Sequence, residues 1–235
     1  DPVRDITTVS TELILKDIET VRRRLDALEK EARTQDKKAV AQQAVVQGLL
    51  RSLNQEIPAL QFIKENPDSK DAVRDLFLLS AKPVIYVFNA NLEKEAAPAM
   101  SYAKKLGAPH AIMNIKEEEE KVGLSGDELR ELGLSEPRLP ELIKKAYEAL
   151  DLITFFTTGP DETRAWTVRR GAKAPDAGGV IHSDFREKFI RAAVIQWDAL
   201  LKAGGTVEAM AQGLIRTEGK DYIVRDGDVI EIKHG

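Results

Sequence analysis

Three residue types used in nucleophilic catalysis stand side by side in GGVIHSDFREKFI (178–190): His182, Ser183 and Asp184. A hydrolytic triad needs nucleophile, base and orienting carboxylate within hydrogen-bond reach of one another. Adjacent residues do not meet that need, because they alternate faces along a strand and diverge by about 100° along a helix. The stretch is therefore expected to be a polar turn, with Ser183 and Asp184 supporting the backbone and His182 held by a backbone group. His110 and His234 fall in other elements, so no histidine pair suggests a metal site. No catalytic and no metal-binding residue is assigned.

Two other groups of residues have chemical promise. Asn89 closes the apolar run Val84–Phe88 in KPVIYVFN (82–89), and NANL (89–92) follows. In parallel sheets, ligands sit beyond the carboxyl ends of the strands, which is where Asn89 falls. The second group is basic: Arg22, Arg23, Arg24, Lys30, Arg33, Lys37 and Lys38. Glu29, Glu31 and Asp36 are interspersed among them, so the group reads either as a solvated helix face or as a patch that contacts phosphates. The chain carries a net charge of −4, so attraction for nucleic acid has to come from such a local patch. There is no G-x-x-x-x-G-K-[ST] and hence no phosphate-cradling loop. DAGG (176–179) fits D-x-x-G only formally, because no core strand precedes it. The absence of cysteine excludes thiolate chemistry and disulfides. No apolar run reaches the roughly 18 residues of a membrane span, so no membrane partner is expected.

The elements that must position these residues fall into three zones. From about Thr11, Ile14, Ile18, Val21, Leu25 and Leu28 recur at spacings of 4, 3, 4 and 3, the seam of a coiled coil. Thr34-Gln35-Asp36 breaks the pattern, and Ala39, Val46, Leu49 or Leu50, and Leu53 form a second stripe. The spacing predicts a helical hairpin whose first helix, starting near Thr11, reaches about 34 Å. A continuous β-branched and aromatic run then predicts a strand over 82–89, buried on both faces, followed by a helix to about Leu106 and a strand over HAIMNI (110–115). Helices are expected over 125–132 and 140–150. The last zone is strand-rich: a hairpin from LITFFTTG and TRAWTVRRG, a helix over 175–181, a strand over 189–197, and a hairpin in YIVRDGDVIEIK turning at Asp226-Gly227. That last pattern suggests a small ubiquitin-like β-grasp sheet.

RAWTVRRGAKAPDAGGVIHSDFREKFIRAAVI (164–195) and EGKDYIVRDGDVIEIK (218–233) resemble the TGS domain of the YchF or Obg-like ATPase family. DPVRDITTVSTELILKDIETV (1–21) is similar to the approach to that family's helical arm, and LLSAKPVIYVFN (78–89) to its nucleotide-base strand. The resemblance implies an α/β and α+β multidomain chain: a coiled-coil arm (1–74), the C-terminal part of a P-loop GTPase-like unit (75–151) and a TGS β-grasp domain (152–235). It further implies an ATPase that prefers ATP to GTP, works in the cytoplasm and associates with the ribosome, through rRNA or tRNA. ATP and Mg²⁺ would be bound only together with an upstream phosphate site, so the chain alone is expected to be inactive. GTPases read guanine with N-K-x-D; this family resembles N-x-x-E at that place. Asn89 matches the Asn, Ala90 follows it, and Leu92 stands where the acidic residue is expected, with Glu93 one position late. Guanine's donors would then go unpaired at a cost of roughly 1–3 kcal/mol. The family's second base-lining segment corresponds to Met113-Asn114-Ile115, which brings in Asn114. The alternative function is a non-catalytic ribosome- or RNA-binding adaptor built from the arm and the TGS domain.

Overall fold

The structure, a computed structural model, describes residues 1–32, 36–91, 93–159 and 162–235. It divides into two compact units, Asp1–Glu141 and Leu142–Gly235. Among the described residues no helix is long and apolar enough to cross a membrane.

The first unit is built on α1 (Pro2–Ala32), which starts nine residues earlier than the apolar seam suggests. Asp1 accounts for the early start: its Oδ1 accepts the Val3 N–H at 3.0 Å, and Pro2 occupies the first helical position without losing a bond. At 31 residues the helix is about 46 Å long. Ile14, Ile18, Val21 and Leu28 are buried along it, with Leu25 packed beside them. α2 (Lys37–Asn54), capped by the Asp36 side chain on Lys38 N–H, contributes Ala39, Val46, Leu49 and Leu53. Leu49, not Leu50, is the fully buried member. α3 (Ala59–Glu65) and α4 (Lys70–Val73) add Ala59, Phe62 and Val73 to the same core.

One polar residue lies on that seam. Asp17 is buried, and its carboxyl oxygens accept Leu79 N–H at 2.8 Å, Ser80 N–H at 2.8 Å and Ser80 Oγ–H at 2.6 Å. Ser80 Oγ in turn accepts Ala59 N–H, so α1, α3 and the segment leading to the first strand share one buried hydrogen-bond network.

β1 (Tyr86–Asn89), α5 (Glu93–Lys105) and β2 (His110–Met113) form the expected β-α-β unit, with parallel register from Tyr86↔His110 to Asn89↔Met113. The strand itself is shorter than expected and is not covered on both faces: Val84 is 43% and Val87 40% exposed. A strand is covered on both faces only inside a wider sandwiched sheet, and the described residues supply a sheet of two strands. α6 (Ile115–Glu120) is capped by Asn114, where the sequence suggests that the second strand continues. α7 (Gly126–Glu131) starts in a reciprocal Ser125–Glu128 capping box, and the boundary between the units falls within α8 (Leu139–Ala149).

The second unit contains β3 (Leu152–Thr158), β4 (Thr163–Arg169), α9 (Ala174–Ile181), α10 (Ser183–Glu187), β5 (Phe189–Gln196), α11 (Trp197–Ala203), α12 (Thr206–Ala211), β6 (Arg216–Glu218) and β7 (Asp228–His234). The strands lie in the order β4-β3-β7-β5-β6, with β3 and β7 parallel and the other pairs antiparallel. Phe155, Ile153, Val168, Phe189, Val194 and Ile230 fill its core with Ala174 and Ala177 of α9.

Two expectations are corrected here. Residues 222–227 do not form one arm of a hairpin with β7; Ile223 makes only an isolated bridge to Lys173. The acidic residues at that turn bond elsewhere: Asp226 Oδ1 takes Thr154 N–H, while the fully buried Asp228 takes Gln196, Tyr222 and Arg225 N–H. Ser183 and Asp184 open α10 and are not a turn; extended His182 caps it, Nδ1 accepting Asp184 N–H at 3.2 Å. That bond occupies the ring nitrogen nearest Asp184. Gly178 of DAGG lies inside α9, where a Cβ would stand 3.1 Å from the Phe185 carbonyl oxygen. Its role is close helix packing, not phosphate binding.

Candidate functional site

The carboxyl end of β1 collects asparagines that sit far apart in sequence. Asn89 Oδ1 accepts Ile115 N–H at 3.2 Å, and Ala90 N–H donates to the Met113 carbonyl at 3.3 Å. Asn114 Oδ1 caps α6 by accepting Lys116 N–H at 3.1 Å and Glu117 N–H at 3.2 Å. Its Nδ2 donates to Asn91 Oδ1 at 2.7 Å. The structure thus brings Asn89, Ala90 and Asn114 together at the ends of β1 and β2, while Leu92 lies outside the described residues. The Asn89 amide nitrogen has no protein partner among the described residues. Asn91 joins this group without having been singled out in the sequence; its only signal there is its place two residues after Asn89.

α6 is fixed beneath this end by a charged cluster. Lys121 is 3% exposed and its Nζ reaches Glu117 at 2.7 Å, Glu118 at 3.2 Å and Ser135 Oγ at 2.9 Å. The hydrogen bond that Lys121 donates to Glu117 raises the Lys121 pKa against the opposing effect of burial. The same contact with Lys121 lowers the Glu117 pKa, with help from Ser135. Glu118 Oε2 also accepts Arg138 N–H at 2.7 Å and Leu139 N–H at 3.2 Å. Guanine presents N1–H and N2–H₂, which call for a free carboxylate. Both carboxylates of this cluster are held by Lys121. An amide N–H₂ such as that of Asn89 can donate to a ring-nitrogen acceptor of either purine.

The basic residues of the arm do not act as a set. Arg24 donates to Glu31 at 3.0 Å and to Gln42 Oε1 at 2.9 Å, and Gln42 Nε2 continues to the Ala72 carbonyl at 2.7 Å. It therefore joins α1, α2 and α4 and is not available to phosphates. Arg22, Arg23, Lys37 and Lys38 are exposed and carry no ion pair among the described residues; Arg33 lies outside them. In the second unit, Arg170, Lys173, Arg186 and Lys188 are each paired, with Asp151, Asp221, Asp176 and Asp184. Among the described residues no group of three or more His, Cys, Asp or Glu side chains converges on a metal position.

Residues 152–235 match the family YchF-GTPase_C, described as "Protein of unknown function (DUF933)". The chain is 39% identical to the ribosome-binding ATPase YchF of Bacillus subtilis (strain 168), over 99% of this chain and 67% of that protein. It is 35% identical to Obg-like ATPase 1 of Gallus gallus, over 99% of this chain and 62% of that protein. The solved structure of the Schizosaccharomyces pombe YchF GTPase superposes with a TM-score of 0.84 at 30% identity, covering 99% of this chain and 66% of that one. The chain spans about two thirds of the length of the curated relatives it matches.

Proposed function

The chain belongs to the YchF and Obg-like ATPase family, and we propose that it supplies the arm, the base-binding strand end and the C-terminal domain of a ribosome-associated ATPase. In this reading 1–74 is a coiled-coil arm, 75–151 the C-terminal part of a GTPase-like nucleotide unit, and 152–235 a TGS domain of β-grasp form. The mixed sheet order β4-β3-β7-β5-β6 with α9 and α10 packed against it supports the last assignment. The name "ribosome-binding ATPase" carried by the bacterial relatives supports the partner and a cytoplasmic site of action.

The observation that carries the nucleotide reading is the strand-end geometry. Asn89 keeps its amide N–H₂ free, and the carboxylates of Glu117 and Glu118 are engaged by Lys121. The free amide of Asn89 can meet a ring acceptor of either purine; guanine's N1–H and N2–H₂ call in addition for a carboxylate, and Leu92 stands where the family pattern has the acidic residue. ATP is therefore the preferred ligand, its base lying against Asn89, Ala90 and Asn114. Bound ATP with Mg²⁺ would supply the phosphoryl group and the charge to be stabilised. No ligand set for Mg²⁺ occurs among the described residues, and the 235 residues contain no phosphate-cradling motif, so hydrolysis needs residues other than these. That same lack of a motif favours a second reading, in which arm and C-terminal domain work as a non-catalytic ribosome- or RNA-binding adaptor.

Calorimetric titration of the chain with ATP and with GTP tests the first reading. Weak binding of ATP, with a dissociation constant above about 100 μM for want of phosphate contacts, and still weaker binding of GTP is the expected result. Equal or tighter binding of GTP would overturn the adenine preference.

A further inference from the structure

We infer that the outer edge of β4 is a docking strand for an acidic, extended protein segment, which adds to the sheet as a sixth strand. This edge is independent of the nucleotide site. β4 stands at the end of the order β4-β3-β7-β5-β6 and pairs only with β3. Gly159 N–H donates to the Glu162 carbonyl and Arg170 N–H to the Asp151 carbonyl, which sets the alternation of the ladder. By that two-residue period, Arg164, Trp166 and Val168 turn their peptide groups to β3, and Thr163, Ala165, Thr167 and Arg169 turn theirs outward. Ala172 N–H takes the Arg169 carbonyl; the outward groups of Ala165 and Thr167 have no protein partner among the described residues.

The two edges of the sheet differ. β6 has three residues and its Arg216 is paired with Glu218, the short, charge-balanced form of a guarded edge. β4 has seven residues and no proline or bulge. Its charge is of one sign: Arg164 and Arg169 have no ion pair among the described residues, and Arg164 lies over the Trp166 ring, its Cζ 4.3 Å from the ring centroid. Alternating outward N–H and C=O groups match another peptide backbone. A nucleic acid backbone offers mainly acceptors and would leave the outward carbonyls unmatched. A second copy of the same strand would add two more arginines and no acidic residue to balance them. Both charge and backbone therefore select an acidic peptide.

The test uses the whole chain, isotope-labelled, with a blocked peptide that alternates valine and glutamate and is about as long as β4. The acidic peptide is expected to slow amide exchange at Ala165 and Thr167, leaving Arg164, Trp166 and Val168 as they were. Ala165→Pro removes an outward N–H without touching the β3 ladder and is expected to abolish binding. The double variant Arg164→Gln/Arg169→Gln is expected to bind about tenfold more weakly; it stands as the decisive variant where the proline variant fails to fold. The proposal is overturned by unchanged Ala165 and Thr167 exchange at saturating peptide. It is equally overturned by the same protection from a valine–lysine peptide, from an oligouridylate, or from self-association of the chain alone.

Discussion

Asp17→Ala tests how the first unit is held together. The substitution removes the acceptor of two backbone N–H groups and one hydroxyl, all within 2.6–2.8 Å of the carboxyl oxygens. Asp17 and Ser80 are both buried, so water replaces the lost partner poorly. Each unsatisfied buried donor costs about 1–3 kcal/mol, and Ser80 Oγ–H can rotate to relieve one of the three, so the two that remain give an expected loss of about 2–6 kcal/mol. Urea unfolding followed by probes in each unit measures it. Trp166 and Trp197 report on Leu142–Gly235, and the loss should appear only in the transition of Asp1–Glu141. Asp17→Asn keeps one acceptor and should fall between the two. A loss below about 1 kcal/mol for Asp17→Ala would refute the reasoning, because it would mean that the network adds nothing net to folding.

Lys121→Met removes the cation that Glu117 and Glu118 share and should destabilise the first unit, visible as a lower melting temperature and faster exchange of α6 amides. The Glu117 pKa is lowered in the folded state, so its contribution is present above the ordinary value of 4.5 and is lost as pH falls through the folded value. Stability of the wild type should therefore decline below about pH 4.5 through this pair, and Lys121→Met should flatten that decline in a melting series over pH. Gly227→Ala places a Cβ 2.6 Å from Trp197 Cδ1 at a φ of 81°. The second unit should lose about 1–3 kcal/mol with a shift in tryptophan emission, and an unchanged melting temperature would argue against that steric clash.

The parts legible in the sequence were those written in periodicity. Ile14, Ile18, Val21 and Leu28 announce the α1 seam because a heptad-like spacing leaves one face apolar, and the β1-α5-β2 order follows from a change of period. The opening turns of α1 were hidden by Thr7, Thr8 and Ser10, whose hydroxyls bond back to the carbonyls of Val3, Arg4 and Ile6 and so blur the polar pattern. The exposure of Val84 and Val87 is not legible in 82–89, since an apolar run does not reveal how many strands flank it. The role of Arg24 could not be read at all: its partner Gln42 is 18 residues away, across the link between the two helices. The hairpin expected at Asp226-Gly227 failed for a similar reason, because Asp226 and Asp228 bond to Thr154 and Gln196, which are remote in sequence. At the strand end, Asn89 and Asn114 were legible through the family resemblance, whereas Asn91 and Lys121 emerge only once the chain is folded.

The most direct test of the proposed function is ribosome co-sedimentation across a salt series. The wild type is compared with Arg22→Gln/Arg23→Gln/Lys37→Gln in the arm and with Arg170→Gln/Lys173→Gln/Arg186→Gln in the second unit. The arm residues are exposed and free of ion pairs among the described residues, whereas those of the second unit are paired. Each phosphate that is no longer neutralised takes roughly 0.7–0.9 off the log–log salt slope, so the arm variant should bind more weakly with a slope flatter by about two units. The second-unit variant should bind like the wild type. Weakened binding by the second-unit variant together with unchanged binding by the arm variant would contradict the reading of the exposed arm residues as a phosphate-contacting patch and leave them a solvated helix face. No co-sedimentation of the wild type at any salt concentration would contradict the ribosome-associated function itself.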